Sequence, residues 1–208
     1  METKEKVAPE RVSKSARTRQ RILDAAAKVF REQGYSNARL SDIAELAGIQ
    51  TGSLYYHFAG REDLVAEILR LGVETGWSNV RGAIAALGPD ATSLDALAAA
   101  LRAHTLAVLE IGDYASAQAR ISGQVPPDIR REHKADLRAY GEYFAQLFVD
   151  ARDDGYLRAD LDLTVVRLLT LGALNFTSEW FDPARGEAGA IADAAVQLVL
   201  NGLRAPAA

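Results

Sequence analysis

The stretch from Leu40 to Phe58, Leu-Ser-Asp-Ile-Ala-Glu-Leu-Ala-Gly-Ile-Gln-Thr-Gly-Ser-Leu-Tyr-Tyr-His-Phe, constrains this chain more than any other. It reads as two short helices joined by a tight turn. Ile43, Ala44, Leu46 and Ala47 give the first an apolar side, and Gly48 is free to take the positive φ that ends it. Ile49 returns to the core. Leu54 and Phe58, four residues apart, form the inner side of the second helix, so Ile43, Leu46, Leu54 and Phe58 are expected in the core. The outer side then carries Thr51, Ser53, Tyr55, Tyr56 and His57. These are hydrogen-bonding groups on short or rigid side chains, which suit a helix pressed into the DNA major groove. A plain helical hairpin buried in a core would not require that outward chemistry.

From Arg19-Gln20-Arg21-Ile22-Leu23-Asp24-Ala25-Ala26 the pattern continues through Phe30, Gly34-Tyr35, Asp42-Ile43-Ala44 and Ala47-Gly48-Ile49. It goes on to Gly52-Ser53-Leu54-Tyr55-Tyr56-His57-Phe58 and ends at Glu62-Asp63-Leu64. In order and spacing this resembles the TetR family of bacterial transcription regulators, closely over the first third of the chain and loosely beyond it. The resemblance implies an all-α protein with an N-terminal three-helix helix-turn-helix DNA-binding domain over residues 14–76, including the start of a linking helix. Residues 77–208 would form a C-terminal helical ligand-binding and dimerisation domain. It also implies that Tyr55 and His57 hold phosphates, while Thr51 and Ser53 reach base edges or nearby phosphates.

The chain departs from the family pattern in three places. Arg39 stands where a hydroxyl residue usually opens the first helix of the motif, so Asn37 or Asp42 must help the helix start. Arg39 is then expected to take a backbone or groove contact. Ser41 replaces a longer polar residue. Ala59-Gly60-Arg61 replaces a Lys after the Phe, which moves the basic phosphate contact to Arg61. The candidate DNA contacts are therefore Arg17, Arg39, Ser41, Gln50, Thr51, Gly52, Ser53, Tyr55, Tyr56, His57 and Arg61.

A formal net charge of −4 argues against nucleic acid only if it is spread evenly. It is not. Residues 1–60 carry ten Lys/Arg against seven Asp/Glu, and the acidic excess lies wholly in the rest. From Arg11 to Arg21 five basic residues meet no acid, so a basic end sits on an acidic body. Arg17 and Arg19 read equally as phosphate partners and as a solvated face, and Met1–Glu10 reads as a solvated tail. Zero cysteines exclude disulfides and thiolate metal sites. No stretch approaches the roughly 20 apolar residues of a membrane span, and no apolar signal core follows the first residues. A cytoplasmic protein is expected.

Ser13 or Ser15 is placed to cap a first helix carrying Ile22, Ala26, Val29 and Phe30, with Gly34 as its stop. From Arg61 a long helix with Leu64, Ile68 and Leu71 on one side is expected to run past Gly72 and Gly76 to Leu87, before Gly88-Pro89-Asp90. In the family such a helix links head to body. Ser93 is the expected cap of a stripe through Leu94, Leu97, Leu101, His104 and Val108. A short segment around Asp113–Ile121 precedes Pro127, which suits a first helical turn. The next stripe is Leu137, Tyr140, Phe144, Leu147 and Ala151, ended by Asp153-Asp154-Gly155. Helices at about Leu163–Trp180 and Glu187–Leu203 close the chain. Gly172, Ala173, Ala194 and Ala195 on them permit close helix approach.

One recognition helix reads too few bases, so two heads about 34 Å apart on a palindrome are expected. The last two helices would then supply a homodimer. The partners expected are double-stranded operator DNA, a second copy and a small-molecule inducer. The inducer pocket would draw on Trp77, His104, Arg120, Tyr140, Phe144, Asn175 and Trp180, polar or aromatic interruptions of apolar stripes. A lone His or Tyr on such a stripe is more often a satisfied core residue, and Arg120, near the Pro126 break, reads as a partner for an anionic ligand or, more often, as a surface residue. The run Leu174–Pro183 is similar to the C-terminal part of TetR members that sense acyl-CoA thioesters. His57, His104 and His133 lack metal spacing and no Gly-rich phosphate loop is present, so neither catalytic residues, a metal nor a cofactor is expected. The competing readings are a ligand-independent architectural DNA-binding protein and a small all-α enzyme.

Overall fold

The computed structural model describes residues 13–110 and 112–205. The expected tail Met1–Glu10 and the basic Arg11 lie outside the described residues. Among the described residues the regular elements are all helices, apart from one isolated antiparallel bridge between Leu157 and Arg204: α1 Lys14–Asn37, α2 Leu40–Leu46, α3 Thr51–His57, α4 Arg61–Ala85 and α5 Ser93–Leu109. These are followed by α6 Asp113–Ile121, α7 Pro127–Asp153, α8 Leu163–Trp180 and α9 Ala188–Leu203.

Local chemistry accounts for most of the boundaries. Ser13, not Ser15, caps α1, its hydroxyl accepting from the Ala16 amide at 3.1 Å. Gly34 does not end α1 but kinks it, with φ 74° and ψ −179°, a backbone that a side chain would strain. The Tyr35 amide freed by the kink donates to Gln124 Oε1 at 3.0 Å. The cap of α5 is Thr92, one residue before the expected Ser93. Its hydroxyl takes the Asp95 amide while the Asp95 carboxylate takes the Thr92 amide, a reciprocal capping box. Pro127 opens α7, where a missing N–H costs nothing, and Gly155 at φ 83° follows its end.

Two hydrophobic cores result. The first packs Ile22, Ala26 and Phe30 of α1 on Ile43, Leu54, Phe58 and the Leu64–Leu69 part of α4. It also takes in Ala117 and Ile121 of α6 and Val125 beyond it, far along the chain. The second core joins Val80 of α4 with Leu97 and Leu101 of α5, Phe144 and Phe148 of α7, Leu174 of α8 and Leu200 of α9. Helix α4 thus has its first half in one core and its last turns in the other. Two residues expected inside are not. Leu46 is 49% exposed and Leu137 41% exposed. Leu46 ends α2, where Ala44 and Ala47 already cover the core side.

Candidate DNA-binding surface and ligand cavity

Helices α2 and α3 form the hairpin read from the sequence, joined through Gly48 at φ 65°. Leu54 and Phe58, both essentially buried, fasten α3 to the core. That fixes the opposite side outward. Gln50, Thr51, Gly52, Ser53, Tyr55 and Tyr56 are exposed, Tyr56 by 83%. His57 is half-buried, its ring edge-on to Tyr56 with centroids 5.2 Å apart. The structure therefore brings the predicted recognition residues together on one short, rigidly anchored helix.

The predicted basic contacts divide. Arg17 and Arg39 are exposed. Arg61 lies with its guanidinium 4.4 Å over the Tyr35 ring, and its Nε and one terminal nitrogen are buried without a protein partner. Together with Arg39, Ser36 and Asn37 it lines one depression between the end of α1 and the starts of α2 and α4. Arg19 is half-buried and paired within the chain: it bonds Glu67 at 2.9 Å and lies 4.9 Å over Phe58. The bond from Arg70 chiefly, helped by Arg19, holds the Glu67 carboxyl down at about 2. The start of α2 has no side-chain cap, contrary to the role expected of Asn37, whose amide instead bonds back to Gln33. Asp42 does sit in the first turn, where a carboxylate suits the helix dipole, and it accepts the Ser41 hydroxyl at 3.1 Å. The Ser41 hydroxyl is thus turned along the helix.

A cavity of about 610 Å³ opens between α4, α5, α6, α7 and α8. Gly72 lets α6 approach α4, since a Cβ there would meet Gln118 Cβ at 2.8 Å. Of the residues expected to meet a ligand, His104, Tyr140 and Asn175 line the cavity. His104 is 6% exposed and its Nδ1 stands 3.0 Å from the Tyr140 hydroxyl. Burial pulls the imidazole down to about 4, against the opposing effect of the Asn175 side chain, and pushes the Tyr140 phenol up. Both groups are therefore neutral near pH 7. His104 Nε2 is buried with no partner.

Trp77 and Phe144 form the layer behind this pair rather than the wall itself. The Trp77 ring lies 5.3 Å from Tyr140, and Phe144 lies 5.6 Å from His104. Arg120 and Trp180 stand away from the cavity. Arg120 reaches the Gly34 kink of α1, and Trp180 is 55% exposed on α8. Trp180 interrupts an apolar stripe and Arg120 precedes the Pro126 break, but the sequence does not say toward which neighbour a helix turns either side chain.

Sequence reasoning missed Tyr114. This residue of α6 also lines the cavity, yet its hydroxyl leaves it to donate to Asp24 of α1 at 2.7 Å and to accept from Gln20 at 2.9 Å. Gln20 also donates to Asp24 at 2.9 Å, closing a triangle. A signal existed in the polar pair Gln20 and Asp24, four residues apart on an otherwise apolar-sided helix. Gln118 and His133, in contact at 3.4 Å between α6 and α7, were missed likewise. Among the described residues no three His, Cys, Asp or Glu side chains are grouped to hold a metal, and no helix is long and apolar enough to cross a membrane.

Comparison with known proteins agrees with both halves. Residues 22–68 match the "Bacterial regulatory proteins, tetR family" domain, and residues 90–203 match the "Tetracyclin repressor-like, C-terminal domain". The HTH-type transcriptional repressor KstR2 of Rhodococcus jostii is 28% identical over 90% of this chain and 92% of its own length. The structure of the ketosteroid transcriptional regulator KstR2 of Mycobacterium tuberculosis superposes with a TM-score of 0.76 at 24% identity, covering 90% of this chain and 95% of that one. AibR, solved in complex with isovaleryl coenzyme A and operator DNA, superposes with a TM-score of 0.77 at 23% identity over 87% of this chain and 97% of its own. With its helix-turn-helix head and its helical body both matched, the chain belongs to the TetR family of transcriptional regulators.

Proposed function

We propose that this protein is a ligand-responsive repressor in the cytoplasm. It binds a palindromic operator as a homodimer and leaves it when a small, mostly apolar molecule enters the cavity. The observation that carries the reading is α4. Its first half is packed into the core that holds the recognition helix, and its glycines Gly72 and Gly76 form cavity wall. A ligand that moves α4 therefore moves the head. On the DNA side, Arg17, Arg39, Arg61, Tyr55 and His57 supply phosphate contacts, and Thr51 and Ser53 supply base contacts.

The dimer reading rests on α8 and α9. Leu168, Leu169, Phe176 and Trp180 on α8 and Leu198 on α9 are each more than half exposed, an apolar face of the kind that a second copy covers. The relatives support the reading in kind: the Rhodococcus protein is named a repressor, and the AibR structure holds both an acyl-CoA and operator DNA. An acyl-CoA-like or other hydrophobic inducer is consistent with a cavity whose walls are mainly apolar.

The test is selection of binding sites from random duplexes with the purified protein, followed by sedimentation of protein and complex. Recovery of an inverted repeat bound by two chains is expected. Monomeric protein that enriches no sequence would overturn the reading, and binding without a repeat would favour the architectural alternative.

A further inference from the structure

The polar pair at the bottom of the cavity points to the class of molecule it takes. We propose that the ligand is uncharged at its buried end, largely apolar, and brings one hydrogen-bond acceptor, a carbonyl or an ether-like oxygen, to His104 Nε2. The inference rests on the cavity being the sensor site and names what that site selects.

The argument begins with hydrogens. The Tyr140 hydroxyl and His104 Nδ1 stand 3.0 Å apart, and each is the other's hydrogen-bond partner. If the imidazole donated, the phenolic hydrogen would lack an acceptor and Nε2 would be a bare lone pair, two unmet groups in one apolar site. If the phenol donates to Nδ1, the ring hydrogen sits on Nε2 and one group remains unmet. The second arrangement is cheaper, because it leaves one buried polar group unmet instead of two. The His104–Tyr140 pair therefore presents a single N–H donor, Nε2, which is buried with no partner at hydrogen-bond distance, while the Asn175 side chain lies near the ring on the cavity wall. The tautomer is held from behind: Trp77 packs on Tyr140, and Phe144 packs on both rings.

Charge on the buried end is disfavoured from both directions. Among the described residues Glu110 is the one charged residue along the cavity wall, and no Lys or Arg lines it. A carboxylate, sulfonate or phosphate at the bottom would lose its water with no cation to meet it. Burial also keeps the imidazole neutral, so it does not become that cation near pH 7. An ammonium would face the Nε2 hydrogen. At about 610 Å³ the space accepts a molecule of drug size.

The test uses two dyes of one skeleton. N-phenyl-1-naphthylamine is neutral, and 8-anilinonaphthalene-1-sulfonate adds a sulfonate. With the full-length protein at neutral pH, the neutral dye is expected to bind once per chain with enhanced emission, and the sulfonate at least about tenfold more weakly. Decan-2-one should displace the neutral dye at a concentration at least about tenfold lower than decanoate does. In His104→Phe the neutral dye should still bind, whereas the ketone should lose roughly five- to tenfold, the worth of one hydrogen bond. His104→Gln, which keeps a donor, should restore part of that loss. Decanoate competing as well as the ketone, or a ketone affinity indifferent to both variants, overturns the proposal while leaving the cavity reading intact. A wild-type protein that binds neither dye overturns the cavity reading itself. If His104→Phe does not fold, the ketone and decanoate comparison on the wild type decides alone.

Discussion

The head and the body of this molecule differ in how complete they are. In the head, the core residues of α1 to α4 are sealed by α6, and most of the polar groups around them find partners within the chain, Arg61 over Tyr35 being an exception. Arg19 has Glu67, Tyr114 has Asp24 and Gln20, and the Tyr35 amide has Gln124. The body is unfinished on two sides. Outside, Leu169 and Leu198 are 70% and 79% exposed, and inside, His104 Nε2 has no partner. A protein whose head must hold one shape against DNA finishes that part itself. The part that must respond leaves places for other molecules.

This contrast can be broken in four ways. The largest effect is expected from charging the outer face with Leu169→Glu and Phe176→Glu together. A completed interface would not tolerate the two charges, so the chain should sediment as a monomer and lose operator affinity at least about a hundredfold. A dimer that survives them would place the interface elsewhere.

Next, Phe58→Ala should destabilise the head by about 3–5 kcal/mol, because a fully buried aromatic leaves a cavity behind. The same truncation at Phe176, 63% exposed, should cost the isolated chain little. Urea denaturation of a monomeric background compares the two, and equal losses would erase the distinction.

A third effect depends on pH. His104 titrates near 4 in the folded chain, lowered by burial, and near 6.5 when unfolded. The unfolded state therefore takes up the proton first. Stability from the neutral ring is intact above about pH 6.5 and is lost as pH falls toward 4, by up to roughly 3 kcal/mol. Denaturation at neutral and mildly acid pH should show this slope, shallower in His104→Gln.

The smallest effect is expected from Tyr114→Phe. It removes the hydroxyl from the Asp24 and Gln20 triangle and should cost about 1 kcal/mol. Amide exchange should quicken in α1, with the cavity wall unchanged. Protection of α1 equal to wild type would show that the triangle adds nothing to the head.

Much of the fold was legible because its signals are local. Leu54 and Phe58 lie one helical turn apart, so the sequence alone orients α3 and exposes Thr51, Tyr55 and Tyr56. Pro127 marks a helix start by chemistry contained within a few residues. Where two hydroxyls compete, as at Thr92 and Ser93, the choice fell to Asp95 three residues beyond Thr92, which completes the reciprocal pair. Gly34 reads as a stop in the sequence because the acceptor of the freed amide, Gln124, is far along the chain.

The cavity was less legible for the same reason. His104 meets Tyr140 and Tyr114 meets Asp24 only after helices have docked, and spacing within one helix does not encode the neighbour. Trp180 has the same sequence appearance as His104 yet faces the outside, and Arg120 faces the head.

Helix α6 makes the head discontinuous in the chain. Ala117, Ile121 and Val125 close a core whose other buried residues come before Leu71, so cutting after residue 76 would remove the plug along with the body. A hybrid regulator that transplants only the leading helices onto a foreign sensor would carry an open wound of apolar surface. Interchangeability in such chimaeras is set by whether the borrowed body brings a helix of matching shape, a requirement that alignment of the DNA-reading segment alone would not reveal.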